Sequence, residues 1–87
     1  MIRVKSLVWD NWNREHIKKH KVSVMEVEGL CRGTFKQQPS YGQKVMIFGI
    51  TKTGRRLTIV LSRKRPGVYY PVTARDTSKK ERRMFLK

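Results

Sequence analysis

The sequence predicts a small α+β domain: one antiparallel sheet with two N-terminal helices and a C-terminal helix packed on it. Three observations carry this. Ser23-Val24-Met25-Glu26 and Ser78-Lys79-Lys80-Glu81 have the capping-box pattern that opens a helix, with a hydroxyl and a carboxylate each satisfying a free backbone N–H. Between them, Val45–Ile50, Leu57–Leu61 and Val68–Thr73 are short apolar runs rich in β-branched and aromatic residues. The 87 residues suffice for a single domain, 1–87, and the 38% that are hydrophobic gather into these runs, so a folded domain is expected rather than a disordered basic tail.

The elements follow in order. Ile2–Trp9 alternates loosely and reads as a short first strand. Asp10 offers an N-cap for a helix to about His20, where Lys18-Lys19-His20-Lys21 complements the negative end of the helix dipole. The second helix starts at the Ser23 cap, with Val22 and Val27 placed as a hydrophobic staple. Val24, Val27, Leu30 and Cys31 give its apolar spacing, and Gly33 its stop. Thr51–Arg55 contains Gly54 and reads as a hairpin loop, and Pro66-Gly67 as a turn. Pro71 cannot donate to a ladder, which places it on an edge or at a bulge. The Ser78 cap opens a last helix to about Leu86.

Charge is the strongest functional clue. Twenty-one Lys and Arg face six Asp and Glu, a formal net charge of +15. Solubility of a small domain needs only roughly 2–8 units, and so much like charge opposes folding unless an anion screens it. A nucleic-acid partner, RNA in particular, is the simplest reason to keep it. A membrane surface fits less well. No segment approaches the ~20 apolar residues of a spanning helix, the first residues lack the apolar run of a secretory signal, and the basic segments lack a long amphipathic face. The single Cys31 precludes an internal disulfide, agrees with a reducing, cytoplasmic setting and reads as a core filler.

The basic residues recur at element ends, which suggests one shared RNA-binding surface. Lys18 and Lys19 end the first helix, Arg55 and Arg56 lie at the hairpin, Arg63, Lys64 and Arg65 close the second run, and Arg75 precedes the last helix. Each alone also reads as an ordinary solvated charge. Among the aromatics, Trp9 and Trp12 read as core, while Tyr41, in a polar loop, reads as a platform for an unpaired base. His16 and His20 share a helix face at a spacing that zinc can use, but no third ligand is evident, so no metal is expected. Neither phosphate loop nor catalytic triad is found.

Trp9-Asp10 followed by Lys19-His20-Lys21-Val22-Ser23 resembles the "WD…KHGVS" opening of the BrnT toxin family. Gly54-Arg55-Arg56-Leu57 resembles that family's hairpin, and Thr73-Ala74-Arg75 with Lys80-Glu81-Arg82 resembles its "SAR…ER" ending. The match runs from about Val8 to Phe85 in the same order. Lys21, Thr73 and Asp76 depart from the family's usual Gly, Ser and Ala; Lys19, His20 and Arg75 are kept. The resemblance implies a RelE-like fold and a metal-independent, cofactor-free endoribonuclease. Such a protein is the toxin of a type II toxin–antitoxin pair, inhibiting translation until an antitoxin binds it in a hetero-oligomer.

RNA can be cut without a metal because its own 2′-hydroxyl attacks the adjacent phosphate. The protein then moves protons and stabilises phosphoryl charge. Histidine has the unperturbed pKa nearest neutrality, ~6.5, which makes His20 the acid–base candidate, with helix capping as its other reading. Arg55 and Arg75 are candidates for a bidentate grip on phosphate, and Lys19 supplies point charge. Arg75 reads equally as a partner of Asp10, Glu26 or Glu28, Arg56 more readily as a hairpin charge, and Glu81 as a cap. The alternative function is a non-catalytic RNA- or DNA-binding module, which needs the charge but not His20.

Overall fold

The computed structural model describes residues 2–85, with the elements β1 (Ser6–Leu7), α1 (Asn11–Lys19), α2 (Val24–Arg32), β2 (Lys36–Pro39), β3 (Lys44–Ile50), β4 (Arg56–Arg65), β5 (Val68–Asp76) and α3 (Lys79–Phe85). The expected end of the last helix at Leu86 lies outside the described residues. Strand order is β1-β5-β4-β3-β2. From β2 to β5 the sheet is an antiparallel meander, but β1 runs parallel to β5, pairing Ser6 with Val68 and Leu7 with Tyr69. The sheet is therefore mixed, not antiparallel throughout. A strand followed at once by helices cannot close a hairpin, so β1 takes the edge that β5 leaves open, and there it lies parallel.

Local chemistry explains the helix starts. Asp10 accepts from the Asn13 backbone N–H at 2.9 Å while the Asn13 side chain accepts from the Asp10 N–H at 2.9 Å, a capping box that ends the extended segment. Asn13 also donates to the Val8 carbonyl, which leaves only Ser6–Leu7 of the expected Ile2–Trp9 strand in the sheet. The Ser23–Glu26 box closes at 3.0 and 3.1 Å and the Ser78–Glu81 box at 2.9 and 3.2 Å. Between α1 and α2 the chain turns through Lys21, whose φ of 59° is left-handed backbone that favours glycine.

One hydrophobic cluster fills the space between α1, α2 and the sheet. Ile17, Val22, Val27, Leu30 and Cys31 meet Ile47, Leu57, Ile59, Leu61, Tyr69 and Ala74, all buried. Strand alternation turns Phe48 and Thr58 to the opposite face, where both are also buried. Glu81 of α3 accepts from the Thr58 hydroxyl at 3.3 Å, which places α3 over that second face. Burial pushes the Cys31 thiol up to about 12, so it packs rather than reacts. Pro71 is accommodated at a bulge: Val60 pairs with Thr73 and Leu61 with Pro71, leaving Val72 over. No helix among the described residues is long and apolar enough to cross a membrane.

Candidate nucleic-acid interface

The first candidate region lies where α1 ends, the β3–β4 loop turns and β5 finishes. His20 caps α1 and is exposed. Arg55 is the hub beside it. Its Nε donates to Asp76 Oδ1 at 2.7 Å and its Nη2 to Asp76 Oδ2 at 3.3 Å. Its Nη1 donates to the Lys21 carbonyl at 2.6 Å and to Glu26 at 3.2 Å, and its Nη2 also reaches the His20 carbonyl at 3.2 Å. The hydrogen bond to Asp76 raises the Arg55 pKa, and Arg55 in turn lowers that of Asp76, with His20 adding to the effect. Burial works against ionisation of Glu26, but hydrogen bonds from Ser23 and Arg55 outweigh it and hold its pKa down.

Arg75 is engaged in the same way on the opposite face. Its Nη1 and Nη2 donate to Glu81 Oε1 and Oε2 at 2.7 and 2.8 Å, so its partner is none of Asp10, Glu26 and Glu28. The fork that suits phosphate suits carboxylate equally. In this structure both candidate phosphate grips, Arg55 and Arg75, are filled by carboxylates, and Arg55 holds the backbone of His20 in place.

The Arg75 pair gives an acid signature. The hydrogen bond from Arg75 holds Glu81 down to about 2, against an ordinary 4.5. A depressed folded-state pKa contributes stability that is complete above about 4.5 and disappears as pH falls through about 2. Allowing for the solvent that screens the half-exposed Arg75, the contribution is about 1 kcal/mol. Glu81→Gln should therefore lower stability at neutral pH and flatten the loss between pH ~4.5 and ~2, as followed by circular dichroism of both proteins.

The second region lies at the far end of the sheet. Arg63, Lys64 and Arg65 close β4, and with Lys44 and Gly42 they line an open groove of about 520 Å³ with no acidic residue among the described residues that line it. Tyr41, in the adjoining loop, is 90% exposed, which suits a base platform. Ten residues of β4 separate the two ends, ~30 Å at the usual rise per residue, and the longest extent of the molecule is 31 Å. The basic constellation is therefore two clusters at opposite ends, not one compact patch. Lys18 and Lys19 sit with His20, and Arg56 lies at the same end of the sheet but on the face of Thr58 and α3; Arg63, Lys64, Arg65 and Tyr41 sit at the other end. Sequence spacing does not reveal this, because strand length decides which end of the sheet a loop falls on.

Helix α1 lies along β5 between these ends. At its start, Asp10 accepts from the Tyr70 hydroxyl at 2.9 Å, and Lys64 Nζ stands 5.4 Å from the centre of the Tyr70 ring. At its finish stands His20. Trp12, expected in the core, is 57% exposed. Its ring stacks on His16 at 4.9 Å and 8°, and His16 meets His20 edge to face at 5.8 Å. The core is supplied instead by Ile17 and Asn13, one face away. The signal missed in the sequence is the i, i+4, i+8 spacing of Trp12, His16 and His20, which puts all three rings in one row. Trp9 is the inward tryptophan, donating from Nε1 to Glu28 at 2.9 Å. Among the described residues no three His, Cys, Asp or Glu side chains converge as metal ligands do.

The acidic residues explain the bare charge outside. Asp10 caps α1 and binds Tyr70, Glu26 and Asp76 hold Arg55, Glu28 binds Trp9 and Arg32, and Glu81 holds Arg75. Five of the six carboxylates are thus engaged in bonds within the protein, leaving the cations at both ends to face solvent. Compared with protein-family models, with curated proteins and with solved structures, the chain matches none.

Proposed function

We propose that this protein is a metal-independent endoribonuclease of the RelE-like, BrnT type, the cytoplasmic toxin of a type II pair that an acidic antitoxin neutralises by covering its cations. The observation that carries the reading is the juxtaposition of an exposed His20 with Lys18 and Lys19, neither of which forms a salt bridge among the described residues. The left-handed backbone at Lys21 adds support, because the resembling family has glycine at that place.

In this mechanism Lys18 and Lys19 draw the phosphodiester to the end of α1. His20 takes the proton of the 2′-hydroxyl and passes it to the leaving 5′ oxygen. The 2′ oxygen bonds to phosphorus as the bond to the 5′ oxygen breaks, leaving a 2′,3′-cyclic phosphate and a 5′-hydroxyl. Lys19 stabilises the extra charge on the phosphoryl oxygens. Arg55 acts on His20 as a positioning residue, through its backbone carbonyl. Arg75 reaches phosphate only by releasing Glu81. A second reading, a non-catalytic RNA- or DNA-binding module, is favoured by one specific observation: both arginine forks are already filled.

Cleavage of a labelled RNA in excess EDTA separates the two. The parent should cut and His20→Ala should lose at least ~10²-fold in rate, the usual contribution of a general acid or base, while still binding RNA. Intact RNA with the parent, accompanied by a salt-sensitive gel shift, assigns the binding module instead.

A further inference from the structure

We propose that the exposed face of α1 is a stacking track for unpaired bases, with Trp12 as its principal platform, joining the two basic ends into one path for single-stranded RNA. This rests on the RNA-binding reading and extends it to a site and a strand type. Three observations converge on it. A tryptophan more than half exposed on a small domain leaves a large ring face unused by the core. That ring is already held parallel to His16, so the platform is ordered before any ligand arrives. The row Trp12, His16, His20 spans ~12 Å of helix from the side of Tyr70, where Lys64 stands against the ring and Asp10 holds its hydroxyl, to the side of Lys18 and Lys19, so each end has a cation in reach of a passing strand.

The chemistry of the face identifies its occupant. The aliphatic residue of α1, Ile17, is buried, and beyond the three rings the helix presents Asn11, Arg14, Glu15, Lys18 and Lys19. A protein partner would find Trp12 as the one exposed apolar anchor on α1, whereas nucleobases stack on aromatic rings in a row while phosphates meet the flanking cations. A duplex hides its base faces within its own stack and meets only the cations.

The test compares 12-nucleotide oligouridine with an RNA duplex of the same length by fluorescence anisotropy, using the parent, Trp12→Ala and Trp12→Phe. Trp12→Ala should weaken oligouridine binding by roughly 5- to 100-fold, the loss of one base–aromatic stack. It should leave duplex affinity and the salt dependence unchanged, and Trp12→Phe should restore most of the loss. Because Trp12 is exposed, melting temperature should hold in both variants. Undiminished oligouridine binding by Trp12→Ala overturns the track and leaves the face to a protein partner, with the RNA-binding reading intact. Equal losses on single strand and duplex overturn it as well. A parent that binds neither RNA overturns the RNA-binding reading itself.

Discussion

Raising salt from 50 to 200 mM should weaken single-stranded RNA binding by roughly 300- to 2,500-fold, the loss expected for about six to eight phosphate contacts that each release counterions. The number of contacts comes from the surface. Lys18, Lys19, Lys44, Arg56, Arg63, Lys64 and Arg65 are all exposed, and none of these seven forms a salt bridge within the described residues. Exposed charges of this kind act over about one Debye length, ~8 Å at physiological ionic strength, so each contributes where the backbone passes directly over it. Anisotropy titrations at 50, 100 and 200 mM salt measure the slope. A steep line supports phosphate contacts along the chain's basic ends; a flat one removes nucleic acid as the reason for the charge.

Arg55→Ala should lower the melting temperature by roughly 8–16 °C, corresponding to about 2 kcal/mol in a domain of this size. Arg55 ties together the end of α1, the first turn of α2, the hairpin loop and the end of β5, through two carboxylates and two carbonyls. Asp76 is 67% exposed and its share is small. Glu26 is three-quarters buried, and bonds of this kind to charged groups are worth ~1.5–3 kcal/mol. Without the guanidinium, Glu26 and Asp76 also face each other uncompensated. Arg55→Lys keeps the charge but not the fork and should fall between the two. Thermal unfolding by circular dichroism decides the matter: a shift under ~2 °C means that the four contacts are surface contacts of little net value. Because Arg55 also fixes the His20 carbonyl, the variant should lose cleavage at temperatures where it is still folded.

Much of the architecture is legible in the residues, where local chemistry decides the outcome. The Ser23 and Ser78 capping boxes, the β3–β4 hairpin and the bulge at Pro71 each follow from side chains adjacent in sequence. The elements that escape the sequence are those set by distant partners. Strand β2, Lys-Gln-Gln-Pro, has no apolar residue; it exists because β3 offers an edge, and its polar residues and Pro39 are what a protected edge requires. Strand β1 shrinks to two residues because the Asp10–Asn13 cap redirects the chain after Val8.

The candidate site divides along the same line. His20, Lys18 and Lys19 come together because one helix carries them. Arg55 and Arg75, expected to grip phosphate, form pairs with carboxylates contributed by α2, β5 and α3, in each case an element other than their own. Trp12 is misread as core because size alone suggests burial, while its phase on α1 relative to Asn13 and Ile17 turns it outward. The split of the basic residues into two ends requires knowing that β4 runs ten residues, four beyond its apolar run.

The central claim, that RNA is held at both ends of the sheet at once, is tested most directly by neutralising the end remote from His20. The salt dependence of oligouridine affinity should be measured for Arg63→Gln, Lys64→Gln, Arg65→Gln combined, beside the parent. These side chains are exposed, so the fold is kept. The account predicts weaker binding and a slope of log affinity against log salt shallower by about 2, since each lost single-strand phosphate contact removes roughly 0.7. An unchanged affinity and slope would mean that RNA never reaches the remote end, and the two clusters would have to be separate.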